Sequence, residues 1–168
     1  MASITISTDS EAATQACGFC LASLLEPGDV LLLSGDLGAG KTQLTKGLAS
    51  GLEVVEPVTS PTFNMLLVHE GRIPLFHFDL YRLDQAEQLE DLDYFATLEA
   101  GGVSVVEWGD RFEEAAPPDA LSVTIHIQGD ELRRLDVFGL GSRGGMLADR
   151  WGEACATLEG VSVSGVAP

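Results

Sequence analysis

The stretch Gly35-Asp36-Leu37-Gly38-Ala39-Gly40-Lys41-Thr42 satisfies G-x-x-x-x-G-K-[ST] at every fixed position. An apolar run, Val30-Leu31-Leu32-Leu33, leads into it, and a segment of helical character opens at Lys41. That context gives the motif its meaning. Glycines at 35, 38 and 40 permit a tight turn that aims several N–H groups at one anion. The helix start behind them adds the positive end of its dipole. Lys41 supplies a mobile cation and Thr42 a hydroxyl suited to Mg²⁺. A Gly-rich turn can carry Lys-Thr by chance, but strand, loop and helix together predict a cradle for a nucleoside triphosphate.

The bulk composition sets the limits. A chain of 168 residues with 45% hydrophobic residues is long enough to bury a core without disulfide or metal staples. Its formal charge of −17 would repel bare nucleic acid and anionic membranes. Most of those carboxylates read as a solvated surface. The N-terminus lacks a basic segment followed by a long apolar stretch, and no run approaches membrane-spanning length. An odd count of three cysteines points to a reducing, cytoplasmic setting. Cys17-Gly18-Phe19-Cys20 spells C-x-x-C, but it lies within a predicted helix, on a face with Ala13, Leu21 and Leu24. It therefore reads as core and not as zinc or redox chemistry.

Before the loop, Ser3 to Ser7 alternates as a short strand, and Thr8-Asp9-Ser10-Glu11 matches a capping box ahead of a helix over 12–25. Pro27-Gly28-Asp29 breaks that helix. A strand–helix–strand connection of this length favours parallel pairing, which brings Glu11 to the sheet edge of the phosphate loop, within reach of a nucleoside. After the loop helix, Thr59-Ser60-Pro61-Thr62-Phe63 suits ordered turns. It reads equally as a connector or as a switch loop in which Ser60 and Thr62 approach a metal or a terminal phosphate.

Two strand ends carry carboxylates. The runs 64–70 and 73–79 predict a hairpin about Glu70-Gly71-Arg72, and the second delivers Asp79 in the manner of a Walker B aspartate. His77 shares a strand face with Asp79 and reads as a satisfied semi-buried residue. Arg82 is the nearest cation in sequence, placed to orient Asp79, to reach phosphate or to form an ordinary ion pair. An acidic helix is expected over 84–92. Val103 to Val106 is a further core strand, ending at Glu107-Trp108-Gly109. Glu107 suits a metal shell or the orientation of a water, and Trp108 a pocket wall or a core edge.

The remainder predicts a hairpin of 121–128 with 132–140, in which Arg133 and Arg134 point to opposite faces. A linker is expected at 142–145, a helix at 146–158, and a mobile Gly/Ser/Val-rich end from Thr157. This divides the chain into an ATPase domain over 1–142 and a C-terminal helix and tail over 143–168.

The combination Gly-Asp-Leu-Gly-Ala-Gly-Lys-Thr, Ser-Pro-Thr-Phe, His-Phe-Asp-Leu-Tyr-Arg-Leu and Val-Glu-Trp resembles the TsaE family, across about residues 5–140. These are bacterial ATPases of tRNA threonylcarbamoyladenosine biosynthesis. The resemblance implies an α/β, three-layer P-loop NTPase fold with a mixed central sheet flanked by helices. It implies a weak, Mg²⁺-dependent ATPase that works with a TsaB–TsaD pair and meets tRNA only through that complex. Matched position by position, the nucleotide would be held by Glu11, by Leu37, Gly38, Ala39, Gly40, Lys41 and Thr42, and by Trp108 and Arg134. Asp79 and Glu107 would be the metal and hydrolysis residues, with Thr42 and Glu107 as direct Mg²⁺ ligands and the Thr62 loop as the switch. A P-loop kinase acting on a small nucleoside-type acceptor is the enzyme alternative. A GTPase is disfavoured because no N-K-x-D occurs, and Asp136-Val137-Phe138-Gly139 comes too late to be its switch.

Overall fold

A computed structural model describes residues 2–61 and 63–165, so Thr62 lies outside the described residues. In chain order the elements are β1 (Ala2–Thr8), α1 (Glu11–Ala22), β2 (Val30–Gly35), α2 (Lys41–Gly51), β3 (Leu66–His69) and β4 (Leu75–Asp79). There follow α3 (Gln88–Asp91), α4 (Tyr94–Leu98), β5 (Val103–Glu107) and a 3₁₀ helix (Gly109–Ala115). The chain closes with β6 (Leu121–Ile127), β7 (Arg133–Gly139), α5 (Gly141–Cys155) and β8 (Val161–Gly165).

The strands form one mixed sheet in the order β3-β4-β5-β2-β6-β7-β1-β8. β4, β5, β2 and β6 are mutually parallel, and the remaining pairs are antiparallel. Helices cover both faces, which explains why β2 is buried almost throughout and reads as an unbroken apolar run. On one face Leu31, Leu33, Val105, Val123 and Leu135 pack against Leu21, Leu44, Leu48 and Trp151 of α1, α2 and α5. On the other, Leu32, Phe76, Phe78 and Val106 meet Leu89, Tyr94 and Phe112 from the short helices. The three-layer P-loop expectation holds.

The helices α1 and α2 approach closely because glycine lines their contact. A Cβ at Gly47 would land on the Gln15 carbonyl, and one at Gly18 on the Leu44 carbonyl. The seam fixes the phosphate-loop helix against the body. Cys17 is buried in the same core beside Cys155, whose thiol is held well above its ordinary range by a hydrogen bond with Cys17 and by burial.

Several expectations are corrected. β1 and β2 are not neighbours, because the β6–β7 hairpin lies between them. Both still run in the same direction, so the β1–α1 turn shares an edge with the phosphate loop. The α1 cap is Ser10, not Thr8: its hydroxyl accepts the Ala13 N–H at 3.0 Å, while Thr8 pairs with the Thr14 hydroxyl at 2.8 Å. The helix stops at Ala22 instead of Leu25. Of the helix expected over 84–92 only α3 forms: Gln88 Oε1 accepts the N–H groups of Asp84 and Gln85 ahead of it, and Asp93, left-handed at φ 54°, separates it from α4.

The C-terminal portion differs most. The expected linker at 142–145 is the first turn of α5, anchored where Asp119 Oδ1 accepts the Arg143 N–H at 3.2 Å. Tertiary contacts override the weak helix propensity of its glycines. The segment from Thr157, expected to be mobile, contributes β8, which pairs with β1 from Thr8↔Val161 to Ile4↔Gly165. Alternation of Val161 and Val163 with Ser162 and Ser164 was the legible signal. Residues 166–168 lie outside the described part.

Candidate functional site

The carboxyl ends of β2, β4 and β5 meet at a cavity of about 560 Å³ whose floor is the phosphate loop. Gly35 leaves β2 at φ 144° and a Cβ there would come within 2.6 Å of the Ile125 carbonyl oxygen, so only glycine lets the chain turn at this place. Gly40, at φ 112°, delivers the backbone into α2, whose first residue is Lys41. Leu37, Gly38, Ala39, Gly40, Lys41 and Thr42 all line the cavity. This is the strand–loop–helix geometry in which successive N–H groups and a helix N-terminus converge on an anion.

Lys41 is only 7% exposed. Its ammonium donates to the carbonyls of Gly35 (2.5 Å) and Asp36 (3.2 Å) and lies 4.3 Å from the centre of the Trp108 ring. Burial pushes the Lys41 pKa below its ordinary value, while the carboxylates of Glu107, Asp79, Asp110 and Asp36 pull it back upward. A phosphate arriving above the loop would offer this cation a better partner than two neutral carbonyls.

Asp79 and Glu107 stand side by side, because β4 and β5 are parallel and these two residues are register partners. Both are nearly inaccessible, at 4% and 3%. They share the strand face of Leu75, Val103 and Val105, which is the face covered by α2. Asp79 Oδ1 accepts the Tyr81 N–H at 3.0 Å. Glu107 Oε2 lies 2.7 Å from His77 Nε2, and His77 is fully buried, more so than the semi-buried place expected for it.

The donor set fits Mg²⁺. Thr42, Asp79 and Glu107 line one cavity and offer a hydroxyl and two carboxylates, the hard oxygen donors that such an ion prefers. Among the described residues no cluster of three or more His, Cys, Asp or Glu forms a self-sufficient metal cage.

Trp108 follows Glu107 in a left-handed conformation at φ 62°, with its N–H donating to the Leu33 carbonyl at 2.8 Å. A non-glycine residue held there is strained backbone at the site. Its ring lies 5.0 Å from that of Tyr81, so the two form an aromatic wall facing Lys41. Glu11 also lines the cavity, as expected from its sheet edge, and Ser60 reaches it from the 59–63 loop. Arg82 points elsewhere, over the ring of the exposed Phe63 at 4.7 Å.

Among the described residues the arginine lining the cavity is Arg133, and Arg134 is not part of the lining. Arg133 shares the face of the buried Leu135 and Val137, and its guanidinium donates to the carbonyls of Ala39 (2.9 Å) and Gly129 (2.9 Å). Arg134 faces the other side of the sheet, 3.3 Å from Asp136. Sequence alternation separates the two, but only the tertiary structure says which face the phosphate loop occupies. Thr14, Gln43, Tyr81 and Glu131 also line the cavity and went unread. Gln43 bonds Gln15 across the α1–α2 seam at 2.6 Å.

Fold and site together define a P-loop NTPase architecture. The family model described as threonylcarbamoyl adenosine biosynthesis protein TsaE matches residues 8–135. A Bacillus subtilis protein named tRNA threonylcarbamoyladenosine biosynthesis protein TsaE is 40% identical over 137 residues, which cover 81% of this chain and 85% of that one. Its namesake from Streptomyces coelicolor is 46% identical over 131 residues, covering 73% and 88%. The crystal structure of Bacillus subtilis YdiB superposes with a TM-score of 0.76 at 34% identity, over 91% of this chain and 97% of that one. The chain belongs to the TsaE family.

Proposed function

We propose that this chain is the Mg²⁺-dependent, ATP-binding and ATP-hydrolysing subunit of the machinery that makes threonylcarbamoyladenosine in tRNA. The observation that carries the reading is the convergence of the phosphate loop with Asp79 and Glu107 at one sheet edge. The names of its relatives support the pathway.

In this reading the loop N–H groups, Lys41 and Arg133 hold the phosphate chain, and Glu11, Leu37 and Trp108 border the nucleoside end. Lys41 leaves the Gly35 and Asp36 carbonyls to neutralise charge on the γ-phosphate. Thr42, Asp79 and Glu107 would hold Mg²⁺, which when bound would supply positive charge to offset the charge of the phosphate chain. Asp79 and Glu107 orient a water whose oxygen bonds to the γ-phosphorus as the bond to the bridging oxygen breaks, releasing ADP and phosphate. Ser60 and Thr62 act as the switch loop, tied to the state of the γ-phosphate.

The chain works in the cytoplasm on a TsaB–TsaD-like pair, which carries out the transfer. Its charge of −17 disfavours direct RNA binding, so tRNA is met through the complex. The test is phosphate release from ATP with and without that pair, comparing wild type with Lys41→Ala and Glu107→Ala. The expected result is partner-stimulated release, reduced roughly hundredfold or more in both variants. Equal release in all three proteins rejects the site. Transfer of phosphate to a nucleoside would reject hydrolysis in favour of a kinase.

A further inference from the structure

We propose that His77 is a positioning residue for Glu107, fixing one carboxylate oxygen by a hydrogen bond so that the other serves the phosphate cavity. The inference rests on the hydrolytic reading of Glu107 given above. It begins from an anomaly of composition. The α2-facing side of β4 and β5 consists of Leu75, Val103 and Val105 up to the carboxylates, and His77 interrupts it with a polar ring of zero exposure. A leucine there would pack without desolvating any polar atom.

The hydrogen bonds say what the ring is for. His77 is the register partner of Val105, and Glu107 of Asp79, so the imidazole reaches diagonally to Glu107, with 2.7 Å between Nε2 and Oε2. An ionised carboxylate oxygen can only accept, so the proposed role requires the proton of that bond to sit on Nε2. Nδ1 has no hydrogen-bond partner among the described residues. The hydrogen bond that the ring makes is thus the one to the Glu107 carboxylate.

His69 supplies the internal contrast. It is also buried, also leaves one nitrogen without a partner among the described residues, and makes a similar contact, Nδ1 to Glu56 Oε1 at 2.6 Å; the difference is that Glu56 is 56% exposed and water can take over the bond. Glu107 is too buried for water to replace His77. Without the imidazole the three side-chain torsions of Glu107 are released at the point where its geometry matters.

The experiment uses the full chain with Mg²⁺-ATP and its partner pair. His77→Leu keeps the volume and removes the donor, His77→Gln restores an N–H at similar reach, and His69→Leu is the control. Phosphate release should slow roughly tenfold or more in His77→Leu, recover substantially in His77→Gln and stay at the wild-type rate in His69→Leu. ATP affinity, measured by calorimetry, should change less than about threefold in all of them. Wild-type rates in His77→Leu overturn the proposal. So does an equal loss in the leucine and glutamine variants accompanied by lost ATP binding, which marks a packing role. Long-range ¹H–¹⁵N spectra of the imidazole give a second readout independent of turnover. They should place a proton on Nε2 and shift its signal in Glu107→Gln; a ring protonated on Nδ1 alone overturns the proposal. If the wild type releases no phosphate, the hydrolytic reading fails by itself, and the spectra still decide whether His77 holds Glu107.

Discussion

The central strands carry buried carboxylates at both ends, and the two ends treat them differently. Just before β2, Asp29 is closed off by one guanidinium: Arg143 Nε meets Oδ1 at 3.0 Å and Nη2 meets Oδ2 at 2.6 Å. The Glu26 N–H adds a third bond at 2.7 Å. That hydrogen-bonded pairing also pushes the Arg143 pKa upward. At the opposite end Asp79 and Glu107 lie side by side, with the Glu107 bond supplied by an imidazole and the cavity in front of them. The first arrangement neutralises charge to hold α5 against the sheet. The second concentrates negative charge where a cation and a phosphate can be received. Burial alone therefore does not mark a functional carboxylate; the partner set does.

Substitutions at the two ends should separate these roles. The largest effect is expected for Glu107→Gln, with ATP turnover falling roughly hundredfold. Its melting temperature should stay level or rise, because one of two adjacent like charges is removed. A large loss of melting temperature would erase the distinction between the ends. Next comes Arg143→Leu, which strands Asp29. With Arg143 24% exposed, the cost should be about 2–3 kcal/mol, below that of a fully buried pair. Denaturant unfolding measures it, and turnover per folded molecule should be unchanged. Adding Asp29→Asn should recover part of the loss.

The smallest effect concerns Tyr94, buried between Phe78 and Phe95 on the sheet face opposite α2. Burial pushes its phenol up to about 12 from an ordinary 10.0. The fold thus favours the neutral form: stability is intact below pH 10.0 and declines as pH rises toward about 12. Absorbance titration should show one tyrosinate forming only near that upper value. Ionisation at the ordinary value would mean that the α3–α4 side opens freely.

Legibility followed the range of the interaction involved. The phosphate loop, the strand-end carboxylates and both hairpins rest on short spacings and alternation, and these were readable. That Arg133 and not Arg134 lines the cavity was not readable, because alternation assigns opposite faces without saying which one α2 covers. Arg143 was read as linker because its partner lies 114 positions away. His77 was read as a satisfied semi-buried residue because its bond to Glu107 crosses between strands.

By itself the sequence determined the phosphate cradle, the two carboxylates, the absence of a guanine-reading motif and the family. Each of these is a matter of residue type at fixed local spacing. Only the tertiary structure decided the strand order that inserts β6–β7 between β1 and β2, the recruitment of β8, the choice of Arg133 and the pairing of His77 with Glu107. Those features depend on which distant segments share a sheet face, and that is settled by burying the apolar side chains of the whole chain at once.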